Sequence, residues 1–270
     1  MTENKMNEFE KANNKMWDEL TDVHVKSYGV EKFLNGTSTL EELQIREVGD
    51  VNGKSLLHLQ CHFGLDTLSW AREGATVTGV DFVEKAIDYA NQIRDKAGLN
   101  ARFICSNIYD LDKHLDEQFD IVYTSQGVLC WLRDINAWGK LIARFMKPGG
   151  IFYIMEAHPV VHIFNDTEKG PPKITQPYFH RDEPTMWDDP YPDYSDPTYI
   201  KVNPSYEWLW TISDIINSLI SAGLKIEFFN EYPLEFCKAL PDMVRGDDGW
   251  WHLPGYEDKL PLIFTLKARK

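Results

Sequence analysis

Cysteine is scarce in this chain. The four present, Cys61, Cys105, Cys130 and Cys237, are scattered over 270 residues, with no CxxC pair and no histidine at zinc-ligand spacing. That excludes a disulfide scaffold or a zinc module and fits a reducing, cytoplasmic compartment. Long apolar runs are missing too: no stretch of about 18 uncharged apolar residues occurs, so nothing reads as a membrane span. The N-terminal MTENKMNEFEKANNK is polar and lacks the apolar centre of a secretory leader. Basic residues are outnumbered, 28 Lys and Arg against 42 Asp and Glu, for a net charge of −14. The excess lies at the ends, with −5 over 1–50, −1 over 51–150 and −8 over 151–270. With no basic run to displace counterions, nucleic acid and anionic membranes are excluded as expected partners. Internal repeats and low-complexity tracts are also absent.

Core material is plentiful, with 43% hydrophobic residues including 14 Phe, 12 Tyr and 9 Trp. The middle of the chain is its most regular part. KSLLHLQ (54–60), ATVTGVD (75–81), ARFICSN (101–107), FDIVYTS (119–125) and IFYIME (151–156) read as buried strands. Between them GLDTLSWAREG (64–74) and FVEKAIDYANQIRDKAG (82–98) carry helical spacing and glycine stops, and DINAWGKLIARFMKPGG (134–150) reads as a helix closed by Pro148 and two glycines. Further on, 211–224 reads as a helix and KIEFFNEY (225–232) as a sixth strand. LPLIFTLKARK (260–270) reads as a seventh, with the period-2 pattern of a sheet edge. Residues 3–20 and 40–48 read as helices. Strands alternating with helices specify an α/β fold with a mostly parallel sheet covered on both faces. Residues 157–208 break the pattern: they hold nine of the 14 prolines and show no period, as a lid or binding loop would. The expected organisation is one domain: an N-terminal helical cap over 1–50, a core over 51–156, an inserted lid over 157–210, and the rest of the sheet over 211–270.

In an open α/β sheet, ligands bind beyond the carboxyl ends of the strands. Five strand ends therefore need inspection. After the first stands Gln60-Cys61-His62-Phe63-Gly64, a turn that opens a helix and offers N–H groups to an anion. After the second stand Asp81, 17 residues beyond Gly64, and Phe82. A carboxylate there suits a ribose diol, because it accepts two hydrogen bonds and donates none. Asn107 follows the third strand with an amide able to pair with a purine edge, and Ser125 and Gln126 follow the fourth. Each signal alone has a structural explanation as a cap or a turn. Their order along consecutive strand ends points to an adenosine-type ligand.

LLHLQCHFGLDTLSWAREGATVTGVDF (56–82) resembles the first two motifs of class I S-adenosyl-L-methionine-dependent methyltransferases. FDIVYTSQGVLCWLRDINAWGKLIARFMKPGGIFYIME (119–156) resembles their fourth-strand and post-Pro-Gly-Gly motifs, and the likeness covers 40–156 well and 211–270 loosely. The resemblance implies a Rossmann-like, seven-stranded, mostly parallel sheet with the last strand antiparallel, and S-adenosyl-L-methionine as cofactor. By position, Gln60, Cys61, His62, Gly64, Ser125 and Gln126 would hold its methionine end, Asp81 with Phe82 the ribose, and Asn107 with the Ile108 N–H the adenine. The turn departs from the family's acidic-x-G-x-G-x-G, with Gln60 and His62 at the first two glycine positions and only Gly64 kept. The HLQCHFG form is similar to that of one bacterial branch. A nicotinamide-dependent oxidoreductase would need G-x-G-x-x-G, which Gln60-Cys61-His62-Phe63-Gly64 does not supply. A non-catalytic cofactor binder is the other alternative.

Methyl transfer needs alignment and, for some acceptors, a base. Glu156 and His158 close the fifth strand and are the candidate catalytic groups, against a reading as loop cap and packing residue. His24 and Tyr28 are candidates to fold over the cofactor, and Trp131 and Trp208 to line a lid, each against ordinary packing. His158, His162 and His180 have no metal-ligand spacing, so no metal is expected. Residues 182–196 contain six Asp or Glu among aromatics. We read them as a solvated loop, with attraction of an amine as the alternative. The expected partner is a small-molecule methyl acceptor enclosed under the lid, with its acceptor atom and the oligomeric state left open.

Overall fold

The computed structural model describes residues 6–188, 190 and 192–270. Seven strands make the main sheet: β1 (Ser55–Leu59), β2 (Thr76–Asp81), β3 (Ala101–Cys105), β4 (Phe119–Thr124), β5 (Met146–Ala157), β6 (Lys225–Tyr232) and β7 (Ile263–Arg269), in the order β3-β2-β1-β4-β5-β7-β6. β1 to β5 are parallel, and β7 runs antiparallel to both of its neighbours. The order reverses between β1 and β4, which opens a crevice at their carboxyl ends.

Alternate residues of each strand build two cores. Leu57, Leu59, Val122, Phe152 and Leu266 face Trp138, Ile142, Ile215 and Leu219 of α6 (Ile135–Phe145) and α7 (Ile212–Ser221). On the other face, Leu56, Val77, Ile121, Tyr153 and Ile263 meet residues of α3 (Glu42–Val48), α4 (Leu65–Arg72) and α5 (Glu84–Ala97), among them Leu68, Trp70 and Ile93. Both faces being dry explains the near-continuous apolar strands.

Two expectations need correction. Helix α6 ends at Phe145, not at Gly150, and Met146 already pairs with Phe119. The cause is Pro148, which biases Lys147 towards extended backbone and cannot continue the helix. The last strand is not a sheet edge: β7 lies between β5 and β6, and its polar positions are also covered. Thr265 is fully buried, and Lys267 Nζ donates to the Glu47 carbonyl at 2.9 Å. The alternating pattern here does not mark a solvated face, since Thr265 is buried outright and Lys267 is held by the Glu47 carbonyl.

The N-terminal segment forms α1 (Glu8–Ser27), opened by a capping box between Asn7 and Glu10, followed by α2 (Val30–Leu34). Helix α1 extends seven residues beyond the expected end at residue 20, while residues 3–5 of the expected helix lie outside the described ones. The insert after β5 contains one short hairpin, Thr185–Trp187 with Ser205–Glu207. Of its acidic stretch, Asp189 and Tyr191 lie outside the described residues.

Helix α1 and the insert are joined by polar contacts. The Asn13 side chain donates to the Tyr206 carbonyl and accepts from the Tyr206 N–H, each at 2.7 Å. The Glu19 carboxylate accepts from the N–H groups of Val202 (2.8 Å) and Asn203 (3.0 Å) and from the Tyr199 hydroxyl (2.9 Å). These backbone donors lie in an aperiodic segment, where a side chain must replace the partner that a helix or ladder would provide. Helix α1 is also pinned to the core side, by Asn14 to the Phe82 carbonyl (2.7 Å) and by Asp22 to the Tyr89 hydroxyl (2.8 Å). It therefore bridges the insert to the strand ends.

Candidate active site

The turn after β1 has an unusual backbone. Gln60 (φ 57°) and His62 (φ 50°) are the described non-glycine residues with positive φ, and Gly64 follows at φ 77°. Left-handed backbone costs a side-chain-bearing residue about 1–2 kcal/mol. The turn thus keeps the path that glycines would take without their freedom. It is held by Cys61 N–H donating to the Val80 carbonyl and Gly64 N–H donating to the Cys61 carbonyl, both at 2.9 Å. Gly64 itself is irreplaceable for a second reason: a Cβ there would stand 2.6 Å from the Phe103 ring.

Asp81 ends β2 facing this turn. One carboxylate oxygen accepts from the His62 N–H at 2.8 Å and the other from the Val83 N–H at 3.0 Å. Burial pushes its pKa up to about 6, against the pull of those N–H donors. A carboxylate with two bound donors still has free lone pairs, so Asp81 retains capacity for further donors. Gln60 has its amide nitrogen on the Val128 carbonyl (3.1 Å), while its Oε1 is buried without a hydrogen-bond partner.

The other expected residues divide. Asn107 caps the following 3-10 turn through the Tyr109 N–H (3.0 Å), and its amide donates to Glu10 Oε1 of α1 (3.0 Å). Its oxygen keeps one lone pair. Glu10 also pairs with Arg133 at 3.1 Å, so α1 is clamped to the ends of β3 and β4. Ile108 is buried beneath, and Phe82 holds α1 by its carbonyl. Cys61 is buried, with its thiol pushed well up by burial and by Asp81, and therefore inert. Ser125 is buried against His58 (3.1 Å), whose other ring nitrogen meets Thr67 (2.8 Å), and Gln126 is half-buried. Burial lowers His58 to about 3, so it is neutral.

Glu156 and His158 do not present themselves as free bases. The Glu156 carboxylate accepts four backbone N–H groups: Gly127 (2.6 Å), Val128 (2.8 Å), Leu129 (3.2 Å) and Ala157 (2.8 Å). It holds the loop after β4 in place. His158 accepts from the Val160 N–H at 3.1 Å on Nδ1 and pairs through Nε2 with Glu231 on edge strand β6 at 3.0 Å. The ring is buried, with Nδ1 hydrogen-bonded and Nε2 within ion-pair distance of Glu231. The strand-end position that made these two residues candidates is real, but their polar atoms are already committed. Trp208 is buried, with its backbone N–H on the Cys130 carbonyl (2.8 Å) and its ring edge-on to Phe9 (6.2 Å), so it packs the cover. His180 stacks on Trp210 at 3.7 Å, and its Nδ1 meets the Leu209 carbonyl at 3.0 Å.

Side chains of α1 converge over the turn. Trp17 lies edge-on to His62 and to Trp131, each at 5.3 Å, and Trp131 is fixed by its indole N–H to the Gly127 carbonyl (2.8 Å). His24 stacks on Tyr28 at 4.8 Å and contacts His62 ring-to-ring at 5.3 Å. The Tyr28 hydroxyl hydrogen-bonds that of Tyr194 in the insert. Trp17 and Asp193 are members of this site that the sequence reading missed. Trp17 shares a 4-3-4 stripe with Thr21, His24 and Tyr28, a signal that was available. Asp193 lies in the stretch read as a solvated loop, yet it is buried beneath that loop, and nothing in an aperiodic segment marks it.

Comparison with known proteins matches this geometry in part. Residues 57–154 match the methyltransferase domain family. A Coxiella burnetii protein named ubiquinone biosynthesis O-methyltransferase is 32% identical over 148 residues, which is 51% of this chain and 62% of that protein. A Pseudomonas syringae protein of the same name is 29% identical over 135 residues, 49% of this chain and 58% of that one. The chain thus spans about three-fifths of the length of these relatives. Among solved structures, an S-adenosylmethionine-dependent methyltransferase from Mesorhizobium loti superposes with a TM-score of 0.60 at 19% identity, covering 88% of this chain and 100% of that one. One from Clostridium acetobutylicum gives 0.55 at 16% identity, covering 96% and 98%. Residues 57–154 therefore carry a methyltransferase-domain sequence, within the Rossmann-like fold of the S-adenosylmethionine-dependent methyltransferases.

Proposed function

We propose that this protein is a methyltransferase that binds S-adenosyl-L-methionine at the 60–64 turn and methylates an O or N atom of a small molecule. The observation that carries the reading is the turn itself: left-handed backbone at Gln60 and His62 beside a buried Asp81 carboxylate. Strain of this kind persists where function over-determines it.

The residues present fit the cofactor. Asp81 accepts from ribose hydroxyls with its remaining lone pairs. The orphaned Gln60 Oε1 is a buried acceptor, whose isolation costs about 1–3 kcal/mol until a donor such as an α-ammonium meets it. Asn107 and Ile108 bound the adenine end, and Glu156 fixes the 127–129 loop that carries the carbonyl under Trp131. When bound, S-adenosyl-L-methionine supplies an electrophilic methyl on a sulfonium. Trp17 and Trp131 then exclude water and orient the acceptor from the cover side. Helix α1 and the insert form that cover, within a single domain whose core spans 51–156.

Titration calorimetry with S-adenosyl-L-methionine, S-adenosyl-L-homocysteine and NADH tests the reading. Micromolar binding of the first two and none of NADH is expected. NADH binding, or no binding of either methionine derivative, overturns it. The acceptor is then sought among phenols and amines by formation of S-adenosyl-L-homocysteine.

A further inference from the structure

The cover and the turn meet at a chain of three side chains. His24 of α1 is completely buried, with Nε2 3.0 Å from Asp193 Oδ2 of the insert and Nδ1 3.2 Å from His62 Nε2 of the turn. The hydrogen positions follow from chemistry. A carboxylate only accepts, so His24 carries its proton on Nε2. In the neutral ring Nδ1 is then an acceptor, and it takes the His62 Nε2 proton. His62 Nδ1 is left as a bare lone pair, and it makes no hydrogen bond with any described residue.

We propose that His62 is the general base of this protein, taking the acceptor's O–H or N–H proton on Nδ1, with His24 and Asp193 as positioning residues that receive the resulting charge. The proposal rests on the methyltransferase reading. The proton balance is closed. As His62 Nδ1 gains the acceptor's proton, its Nε2 proton passes to His24 Nδ1. His24 becomes the imidazolium beside the Asp193 carboxylate, and His62 stays neutral. One charge moves by one ring towards its counter-ion.

Three features place the chain at the reaction rather than in mere packing. His62 stands at the second glycine position of the turn, so its ring rises from the backbone that touches Asp81. The ring lies edge-on to Trp17 (5.3 Å), which in turn meets Trp131 (5.3 Å), the pair assigned above to orienting the acceptor. The chain is contributed by three separate segments, so it exists only when the cover is in place. This couples the base to the exclusion of water, which strengthens every interaction in it. Other titratable groups around it are Tyr28 on α1, Tyr194 on the insert, Asp81 on β2, and Cys130 and Cys237, which act on Tyr194. Burial and the neighbouring His24 hold His62 well below the usual imidazole range, so it is unprotonated at neutral pH. Burial raises Asp193, but hydrogen bonds from His24 and Ser195 outweigh this and keep it ionised.

The test uses the full chain labelled with ¹⁵N-histidine. Long-range ¹H–¹⁵N spectra at pH 8, with and without S-adenosyl-L-homocysteine, are expected to show His62 protonated on Nε2 and bare on Nδ1. In Asp193→Asn, which keeps the shape and removes the charge, proton uptake by the histidine pair and the acid limb of kcat both move to lower pH. On whichever phenol or amine of the acceptor screen turns over, His62→Asn lowers kcat at least about 100-fold. The Kd of S-adenosyl-L-homocysteine is measured on the same variant, in which asparagine tolerates the left-handed turn and keeps the N–H on Asp81, so that the loss of kcat is read separately from any loss of binding. Protonation of His62 Nδ1 in the neutral form overturns the proposal. So does an unshifted Asp193→Asn, or a His62→Asn enzyme with unchanged kcat. If S-adenosyl-L-homocysteine fails to bind, the function itself is wrong; the tautomers are still readable on the free protein and decide the relay separately.

Discussion

The core over 51–156 and the cover made of α1 with the insert are held by different physics. The core is a sheet dry on both faces, with Trp70, Trp138, Tyr123 and Phe152 fully buried. Its backbone polar groups are satisfied by ladders and helices. The cover has one short hairpin of its own, and single side chains such as Asn13 and Glu19 satisfy its backbone. A core built from repeating patterns tolerates change in detail. A cover built from individual contacts depends on each of them, and that is the construction expected of a part that opens and closes.

This comparison can be broken or sharpened by mutation. The largest effect is expected from Trp138→Ala, which empties the space beside Phe152 (5.4 Å) on the α6 face. It should cost about 3–5 kcal/mol of global stability, seen as a parallel shift of all denaturation probes. Loss confined to the cover would contradict the assignment of the core.

Next comes Asp81→Asn. The carboxyl pKa is raised to about 6 in the fold, above the unfolded value near 4. The sign is that of a raised group: the charged form is disfavoured by folding, so stability is lost as pH rises through the folded value. The loss amounts to about 3 kcal/mol by pH 8. The neutral variant should therefore melt higher than the wild type at pH 8 and alike at pH 4. It should bind S-adenosyl-L-homocysteine at least about 10-fold more weakly, since a charged hydrogen bond is worth roughly 1.5–3 kcal/mol. Stability gained with binding kept would remove Asp81 from the site.

Asn13→Ala should cost about 1–3 kcal/mol, confined to the cover. Hydrogen exchange over 192–208 should accelerate while β1 and β4 stay protected. The smallest effect is expected from acid. Burial alone would raise the Glu19 pKa, but the Val202, Asn203 and Tyr199 donors outweigh it and hold the carboxyl below its usual range. Its contribution is therefore present above the usual carboxylate range and lost as pH falls through the folded value. Exchange over 198–203 should rise on acidification in the wild type, and Glu19→Gln should already exchange faster at neutral pH.

The same division decides what the sequence reveals. All seven strands of the sheet were legible, the first five as apolar runs bounded by turns and the last by its period-2 pattern, and the ends of the first two named the 60–64 turn and Asp81. Pro148 was read as closing α6, but the helix stops at Phe145, before the proline, and β7 looked like an edge because Thr265 is buried as a polar residue and Lys267 finds its partner, Glu47, far away in sequence. At the site, position along the strands located Glu156 and His158. Position alone did not show that four N–H groups bind the first and that Val160 and Glu231 bind the second. His24 and Tyr28 were legible as cover residues from the N-terminal helix. Asp193 was not, because its role depends on a long-range contact in a segment without period.

Hydrogen exchange of the full chain with and without S-adenosyl-L-homocysteine tests the central claim most directly, since it reads the turn and the cover together. The account predicts added protection at 60–64, 81–83 and 107–109, joined by 8–27 and 192–208. Protection that leaves the 60–64 turn and Asp81 unchanged, or that appears only elsewhere on the chain, would contradict it.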